Sequence, residues 1–384
     1  MTNNRDIPFG RPWITEDDRL AVLEVLKGHI LTHGPQGKGF EEDFANFMGA
    51  GYSAALSSCT AALHLAYFQM GVGPGDEVIV PAQTHNATAH AVELVGARPI
   101  FVDCEPNTGN IDVSLIENEI TPSTKAISLV HFVGIPCAMD KIMDIAVKNG
   151  LSVVEDCALA LGARYHDTHV GLIGDAGCFS FYPVKHITTG DGGMFVTRHK
   201  NIAEDIRIQR AFGVDRTYSE RTVPGFYDVK ELGFNYRMSE MQAALGRTQL
   251  KKMNRILDYR RRNFKILKSR IMDLPDINVL DSDNSLAENS YYCLTAVLKG
   301  ELAPVRNELV NKLNERGVGT SIYYPHPVPR LSYYRKKYGY NSSKFPNAET
   351  ISDCSVALPV GPHLATDDME YIGETFVKAI QGVR

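Results

Sequence analysis

Residues 77–102 read EVIVPAQTHNATAHAVELVGARPIFV, and this stretch decides the fold class. Glu77–Val80 is a short, largely β-branched run. Gly73-Pro74-Gly75-Asp76 precedes it and Pro81 follows it, which is the punctuation of a strand. Asn86–Val95 then carries apolar residues at helical spacing and stops before Gly96, and Arg98–Val102 is strand-like again. The rhythm continues with a predicted strand at Ala126–Val130, a helix at Met139–Lys148 and a strand at Leu151–Val154. Such alternation predicts an α/β fold, a mostly parallel sheet covered by helices on both faces. Sheets of this kind present ligands at the carboxyl ends of their strands. Chemistry is therefore expected in the residues just after each apolar run.

Further out, the pattern changes near Gln242. Met238–Leu267 predicts one long helix, and Arg260-Arg261-Arg262 near its end reads as a solvated basic face. A looser stretch with Pro275 and Asp281-Ser282-Asp283 leads to a strand-like Tyr291–Leu298. The expected division is an N-terminal arm (1–14), a large domain (15–250) and a small α+β domain (251–384), within the size range of ordinary domains. No internal repeat or low-complexity tract interrupts it.

The chain has 384 residues, 44% hydrophobic and 22% charged, with a net charge of −5 and a pI near 6.2. A mildly acidic chain lacks the basic stripe of a nucleic-acid protein. No long apolar run predicts a transmembrane helix, and the polar Met1–Gly10 lacks a signal core. Seven cysteines without any CxxC spacing predict neither a disulfide framework nor a metal site, and a cytoplasmic protein is expected.

The densest chemical signal is FSFYPVKHITTGDGGM, Phe179–Met194. Lys185 sits in a turn after a strand and before a glycine cluster, among small and hydroxyl residues (Ser180, Thr188, Thr189) that let a ligand approach the backbone. A lysine with apolar neighbours has a lowered pKa and can attack a carbonyl. Asp156 follows the apolar run at Leu151–Val154, where it would be presented to a ligand or would cap a helix. Lys185 and Asp156 together fit pyridoxal 5'-phosphate, which needs a lysine amine and a carboxylate on its ring nitrogen. Ser57-Ser58-Cys59-Thr60 ends a short apolar segment and opens a helix, so its free N–H groups could cradle a phosphate or be an ordinary N-cap.

Taken together, these motifs resemble the DegT/StrS-type pyridoxal-phosphate-dependent sugar aminotransferases, which have the aspartate-aminotransferase fold (fold type I). The likeness runs nearly end to end. It includes ILTHGP (Ile30–Pro35), GPGDEVIVP (Gly73–Pro81), GARPIFVD (Gly96–Asp103), GFNYRMSEMQAA (Gly233–Ala244), FPNAE (Phe345–Glu349) and LPV (Leu358–Val360). The resemblance implies that Lys185 forms the Schiff base and that Asp156 partners the ring nitrogen. It aligns Ser58, Cys59, Thr60 and Ser180 with the phosphate ligands and His85 with the ring-stacking residue. It aligns Asn235 with an asparagine that reaches the phosphate from the neighbouring subunit, which implies a homodimer with shared active sites. Candidate sugar-side residues are Tyr182, His186, Arg216 and Tyr323.

Some positions depart from the family's pattern. His85 replaces the usual large aromatic ring, and Leu159 replaces a Gln or His that would hydrogen-bond the ring oxygen. Asp191 stands for Glu, Phe212 for a frequent His, and Tyr323 and Pro329 stand where histidines are common. The implied function is transfer of an amino group from L-glutamate to a keto sugar, nucleotide-linked by resemblance. The other readings are a cofactor-binding sensor without turnover, and a transaminase of a cyclitol or small keto phosphate. A sugar 3-dehydratase would need a histidine in place of Lys185, and His186 is one residue off that position.

Overall fold

The alternation at 77–102 folds as its pattern requires. The structure, a computed structural model, describes residues 5–49, 51–215, 223, 225–282 and 284–383. In chain order the strands are β1 (Tyr52–Leu56), β2 (Glu77–Pro81), β3 (Arg98–Val102), β4 (Thr124–Val130), β5 (Ser152–Asp156), β6 (Arg164–Tyr165), β7 (Thr168–His169), β8 (Ala176–Ser180), β9 (Gly193–Thr197), β10 (Ile277–Val279), β11 (Ala287–Glu288), β12 (Leu294–Leu298) and β13 (Ser355–Leu358). The central sheet has the order β1-β9-β8-β5-β4-β2-β3. Within it β3, β2, β4, β5 and β8 pair in parallel, while β9 runs antiparallel to both β8 and β1. The carboxyl ends of β1, β2, β5 and β8 therefore lie along one edge of the sheet.

The period of two along each strand divides the two faces. Val78, Val80, Ala126 and Val154 pack under the helices Cys59–Gln69 and Asn86–Leu94. Ile79, Ile127, Leu129 and Val153 pack with Ile142 and Ala146 of the helix Met139–Asn149 on the other side. On β5 the alternation places Asp156 on the same face as Val154 and turns Glu155 to the opposite face. There the Glu155 carboxylate accepts the N–H groups of Gly171 (2.7 Å), Ile173 (2.9 Å) and Gly174 (2.6 Å) and pairs with His131 Nε2 at 2.9 Å. His131 Nδ1 accepts from Cys137 N, so its proton is on Nε2. The buried group His131, Glu155 and Cys157 thus spends its carboxylate on N–H donors and clamps the loop before β8.

The expected single helix over Met238–Leu267 is two, Glu240–Leu250 and Met253–Ile271. Neither Gly nor Pro separates them. The turn tightens as Lys252 N bonds to Gln249 O, and Lys252 Nζ reaches the carbonyl of Trp13, the hydroxyl of Thr15 and Asp18. The second helix begins against the large sheet's core through Met253 and Ile256 and ends in the C-terminal core through Phe264, Leu267 and Ile271. The C-terminal core covers an antiparallel sheet, β10-β12-β13, with the helices Arg306–Glu315 and Thr366–Gln381. Arg260 is 5% exposed, so the basic run is not uniformly solvated. Its guanidinium is drawn inward by the carbonyls of Tyr291 and Tyr292. Those bonds also explain why the strand begins at Leu294 rather than Tyr291: Tyr291 sits at φ +55°, and Tyr292 N bonds to Val133 O.

Residues 7–9 do not hang free. Ile7 exchanges backbone bonds with Gly317 and Gly319 and buries its side chain in the C-terminal core, a burial that contributes about 2 kcal/mol. All seven cysteines are free. Among the described residues no helix is long and apolar enough to cross a membrane.

Candidate active site

The carboxyl ends of β1, β2, β5 and β8 open onto a cavity of about 290 Å³. Ser58, Cys59, Thr60, His85, Asp156, Ser180, Tyr182 and Lys185 all line it. Ser58 follows β1 and caps the helix Cys59–Gln69, its Oγ accepting from Ala61 N at 3.1 Å. The N–H groups of Cys59 and Thr60, at the first two helical positions, have no acceptor within the helix and point out of its positive end. Gly193 keeps this loop in place: a Cβ there would lie 2.3 Å from the Ser58 carbonyl carbon. Its small size serves backbone packing against the loop rather than a ligand's approach.

Asp156 is 4% exposed at the end of β5. One carboxylate oxygen accepts Ala158 N at 3.0 Å, and the other accepts Thr88 Oγ1 at 2.8 Å. Thr88 is in turn 2.8 Å from Thr84 Oγ1. The Cys59 thiol lies 3.9 Å from the first oxygen. Burial, and then the Asp156 charge, push that thiol's pKa well up, so it stays protonated and can donate. Lys185 follows β8 in a turn closed by its own N–H bonding to Tyr182 O at 2.9 Å. Its Nζ lies 5.6 Å from the ring centroid of Tyr292. Burial pushes the Lys185 amine's pKa below its ordinary value, and the Asp156 carboxylate pulls part of the way back. A lysine so placed yields its proton more readily and keeps a nucleophilic lone pair.

His85 caps the helix Asn86–Leu94, its Nδ1 accepting from Ala87 N at 3.1 Å. Its ring meets Tyr324 edge-on at 5.4 Å. Leu159 also lines the cavity and offers no hydrogen bond there.

Three of the expected residues do not join the cavity wall. His186 is buried with Nε2 2.9 Å from Ser290 O, because the turn directs successive side chains apart. Tyr323 bonds through its hydroxyl to Tyr292 at 2.8 Å and packs at a tilt against the ring of Phe9, and its neighbour Tyr324 takes the place on the wall. Asn235 is exposed in a bridge with Ala211. Arg216 lies outside the described residues. Thr84, Thr88, Tyr292 and Tyr324 went unremarked in the sequence; only the placement of Thr84 and His85 after an apolar run pointed toward this wall.

These residues fit pyridoxal phosphate: an amine, a buried carboxylate and a helix N-terminus with hydroxyls share one cavity. The DegT/DnrJ/EryC1/StrS aminotransferase family model matches residues 12–377. The spore coat polysaccharide biosynthesis protein SpsC of Bacillus subtilis is 35% identical over 385 residues, covering 99% of this chain and 98% of SpsC. Among solved structures, Spr1654 of Streptococcus pneumoniae in its PMP-form superposes with a TM-score of 0.93 at 28% identity, covering 98% and 100% of the two chains. Helicobacter pylori PseC, an aminotransferase involved in the biosynthesis of pseudoaminic acid, gives 0.92 at 26% identity, again covering 98% and 100%. With the family model spanning nearly its whole length and a relative of this identity covering it, the chain belongs to the DegT/DnrJ/EryC1/StrS aminotransferase family.

Proposed function

We propose that this chain binds pyridoxal 5'-phosphate and transfers the amino group of L-glutamate to a keto sugar carried on a nucleotide. The observation that carries the reading is that Lys185, Asp156 and the N-terminus of the helix Cys59–Gln69 line one cavity. Spr1654 is solved in PLP- and PMP-forms, and the names of SpsC and PseC point to carbohydrate synthesis, which supports cofactor and substrate class. The nucleotide and the glutamate donor rest on the resemblance of the sequence motifs.

When bound, the cofactor holds the donor's nitrogen covalently and draws electrons from the donor's α-carbon. Lys185 Nζ, its pKa lowered by burial, would take the proton from that carbon and deliver it to the cofactor's side of the nitrogen rather than back to the donor. Asp156, fixed by Thr88 and Ala158, holds a proton on the ring nitrogen. Cys59 and Thr60 bind phosphate through their N–H groups, and Ser58, Thr60 and Ser180 supply hydroxyls. The intact set favours turnover over a sensor role, and the buried, inward-turned His186 favours transamination over dehydration. In the test, L-glutamate should abolish the visible absorbance of the loaded protein. A panel of nucleotide-linked keto sugars, followed by mass spectrometry, should then yield an amino sugar. A spectrum unmoved by every amino donor would overturn the reading in favour of a binding protein.

The site is proposed to be completed in a homodimer, with Asn235 reaching the partner's phosphate. In its own chain Asn235 is exposed, and Phe226, Val229 and Leu232 nearby in sequence leave apolar side chains open to cover. Asn235→Ala should then fail at limiting cofactor. Mixing it with Lys185→Ala should restore activity, because a heterodimer assembles one site with both residues intact. With random exchange about half the dimers are mixed and each holds one sound site, so recovery reaches about a quarter of wild type. No recovery despite proven exchange and an impaired Asn235→Ala would place the asparagine in its own chain's site or in none.

A further inference from the structure

A second, small cavity lies beside the lysine turn, where Arg11–Trp13, the turn around Lys185 and the helix Met253–Ile271 meet. It has room for the centre of about one water molecule, about 10 Å³. His186 and Arg260 line it, and they are 4% and 5% exposed. Ser290 O can only accept, so His186 Nε2 carries the proton and Nδ1 is left with a lone pair. Among the described residues that Nδ1 is buried without a partner, and so is the Nε–H of Arg260. The first is an acceptor lacking a donor and the second a donor lacking an acceptor. Native interiors seldom leave such groups unpaired.

We propose that one water molecule in this cavity accepts from Arg260 Nε–H and donates to His186 Nδ1, and that the two side chains so joined are positioning residues for the Lys185 amine. An anion is the obvious rival, since Arg11, Lys185 and Arg260 make the lining cationic. It would satisfy Arg260 but face the Nδ1 lone pair. Burial pushes the imidazole's pKa well down, so His186 stays neutral and cannot donate from Nδ1. Only a ligand that both accepts and donates serves the pair, and the room suits water.

The link closes a ring around Lys185. His186 is its covalent neighbour. Arg260 holds the Tyr292 carbonyl at 2.7 Å, and the Tyr292 ring lies 5.6 Å from Lys185 Nζ. Loosening either end of the water bridge frees the turn on one side and the ring on the other, and the amine loses its fixed position.

The positioning role rests on the aminotransferase reading; the water does not. A crystal structure of the wild-type protein should show one water within hydrogen-bond distance of both His186 Nδ1 and Arg260 Nε. No density there, or an anion revealed by the anomalous signal of bromide, overturns the proposal. His186→Gln sets an amide N–H near the place of Nε2 and keeps the bond to Ser290, but it offers nothing at Nδ1. His186→Asn sets an oxygen near the place of Nδ1. Amino transfer by His186→Gln should show kcat down about tenfold with an unchanged KM for the donor, and His186→Asn should recover most of it. Arg260→Lys, which lacks the Nε–H, should behave like His186→Gln. The double variant should be no worse than the worse single, both in kcat and in the melting temperature of the cofactor-free protein. Losses that multiply overturn the shared water. If Arg260→Lys does not fold, the wild-type density and the Gln/Asn pair decide. If no substrate supports transfer, the function reading has failed, and the density and the melting of the His186 variants still test the water.

Discussion

Lys185→Ala is expected to lose amino transfer by on the order of 10⁴-fold or more, because in the proposed function one residue supplies both the amine that binds the cofactor and the base that moves the proton. Among the described residues no other lysine lines the cavity, so nothing nearby can replace it. The fold should survive. Lys185 Nζ makes no ion pair in the described structure, and its contact is the face of Tyr292 at 5.6 Å. Truncation also removes a cation whose burial is unfavourable, as its lowered pKa records. The melting temperature of the cofactor-free variant should therefore stay near wild type. Lys185→Arg separates charge from nucleophilicity: a guanidinium keeps the cation but cannot be deprotonated, and it should be as inactive as the alanine variant. Borohydride treatment of the loaded wild-type protein, followed by peptide mapping, should fix the cofactor on Lys185. A label on any other lysine would overturn the assignment.

Strands β2 to β5 were legible because each is a short apolar run between turn residues, and strand geometry then places the residues at the end of each run. The placement of Ser58, His85, Asp156 and Lys185 around one cavity comes from that rule. What stayed hidden depends on contacts between distant segments. The helix break at Lys251–Lys252 carries no Gly or Pro; Lys252 reaching Trp13, Thr15 and Asp18 accompanies it. The inward turn of Arg260 requires two carbonyls about thirty residues downstream. Glu155 and Asp156 are adjacent carboxylates with opposite fates, and the strand's period of two separates them. Which one faces the ligand depends on the side that the helix Cys59–Gln69 covers. Thr84 and Thr88 were invisible because threonine after a strand is commonplace until a buried carboxylate is set against it. The exchange of Tyr323 for Tyr324 on the cavity wall is the same lesson at one-residue scale: in a loop no periodicity says which of two neighbours points inward.

Asp156→Asn tests the electrostatic half of the site. The fold should hold, because the amide can reproduce the local bonds. Its oxygen can still accept Ala158 N, and its NH₂ can donate to Thr88 Oγ1 once that hydroxyl turns its proton toward Thr84. A neutral amide cannot keep a pyridine nitrogen protonated, so the electron demand that makes the donor's α-proton removable weakens. The expected loss in kcat is roughly 10³-fold, comparable to removing a preorganised stabilising group from other active sites. A second readout needs no turnover. In the wild-type protein the Asp156 carboxylate raises the Lys185 pKa against the larger lowering effect of burial. Removing that negative charge leaves burial less opposed, so the amine's pKa must fall further in Asp156→Asn. The pH dependence of Lys185 acylation in the cofactor-free protein should therefore shift to lower pH in the variant. An unchanged profile would mean that the two groups do not sense each other across the cavity. A normal kcat together with a shifted profile would mean that some other group holds the ring nitrogen's proton.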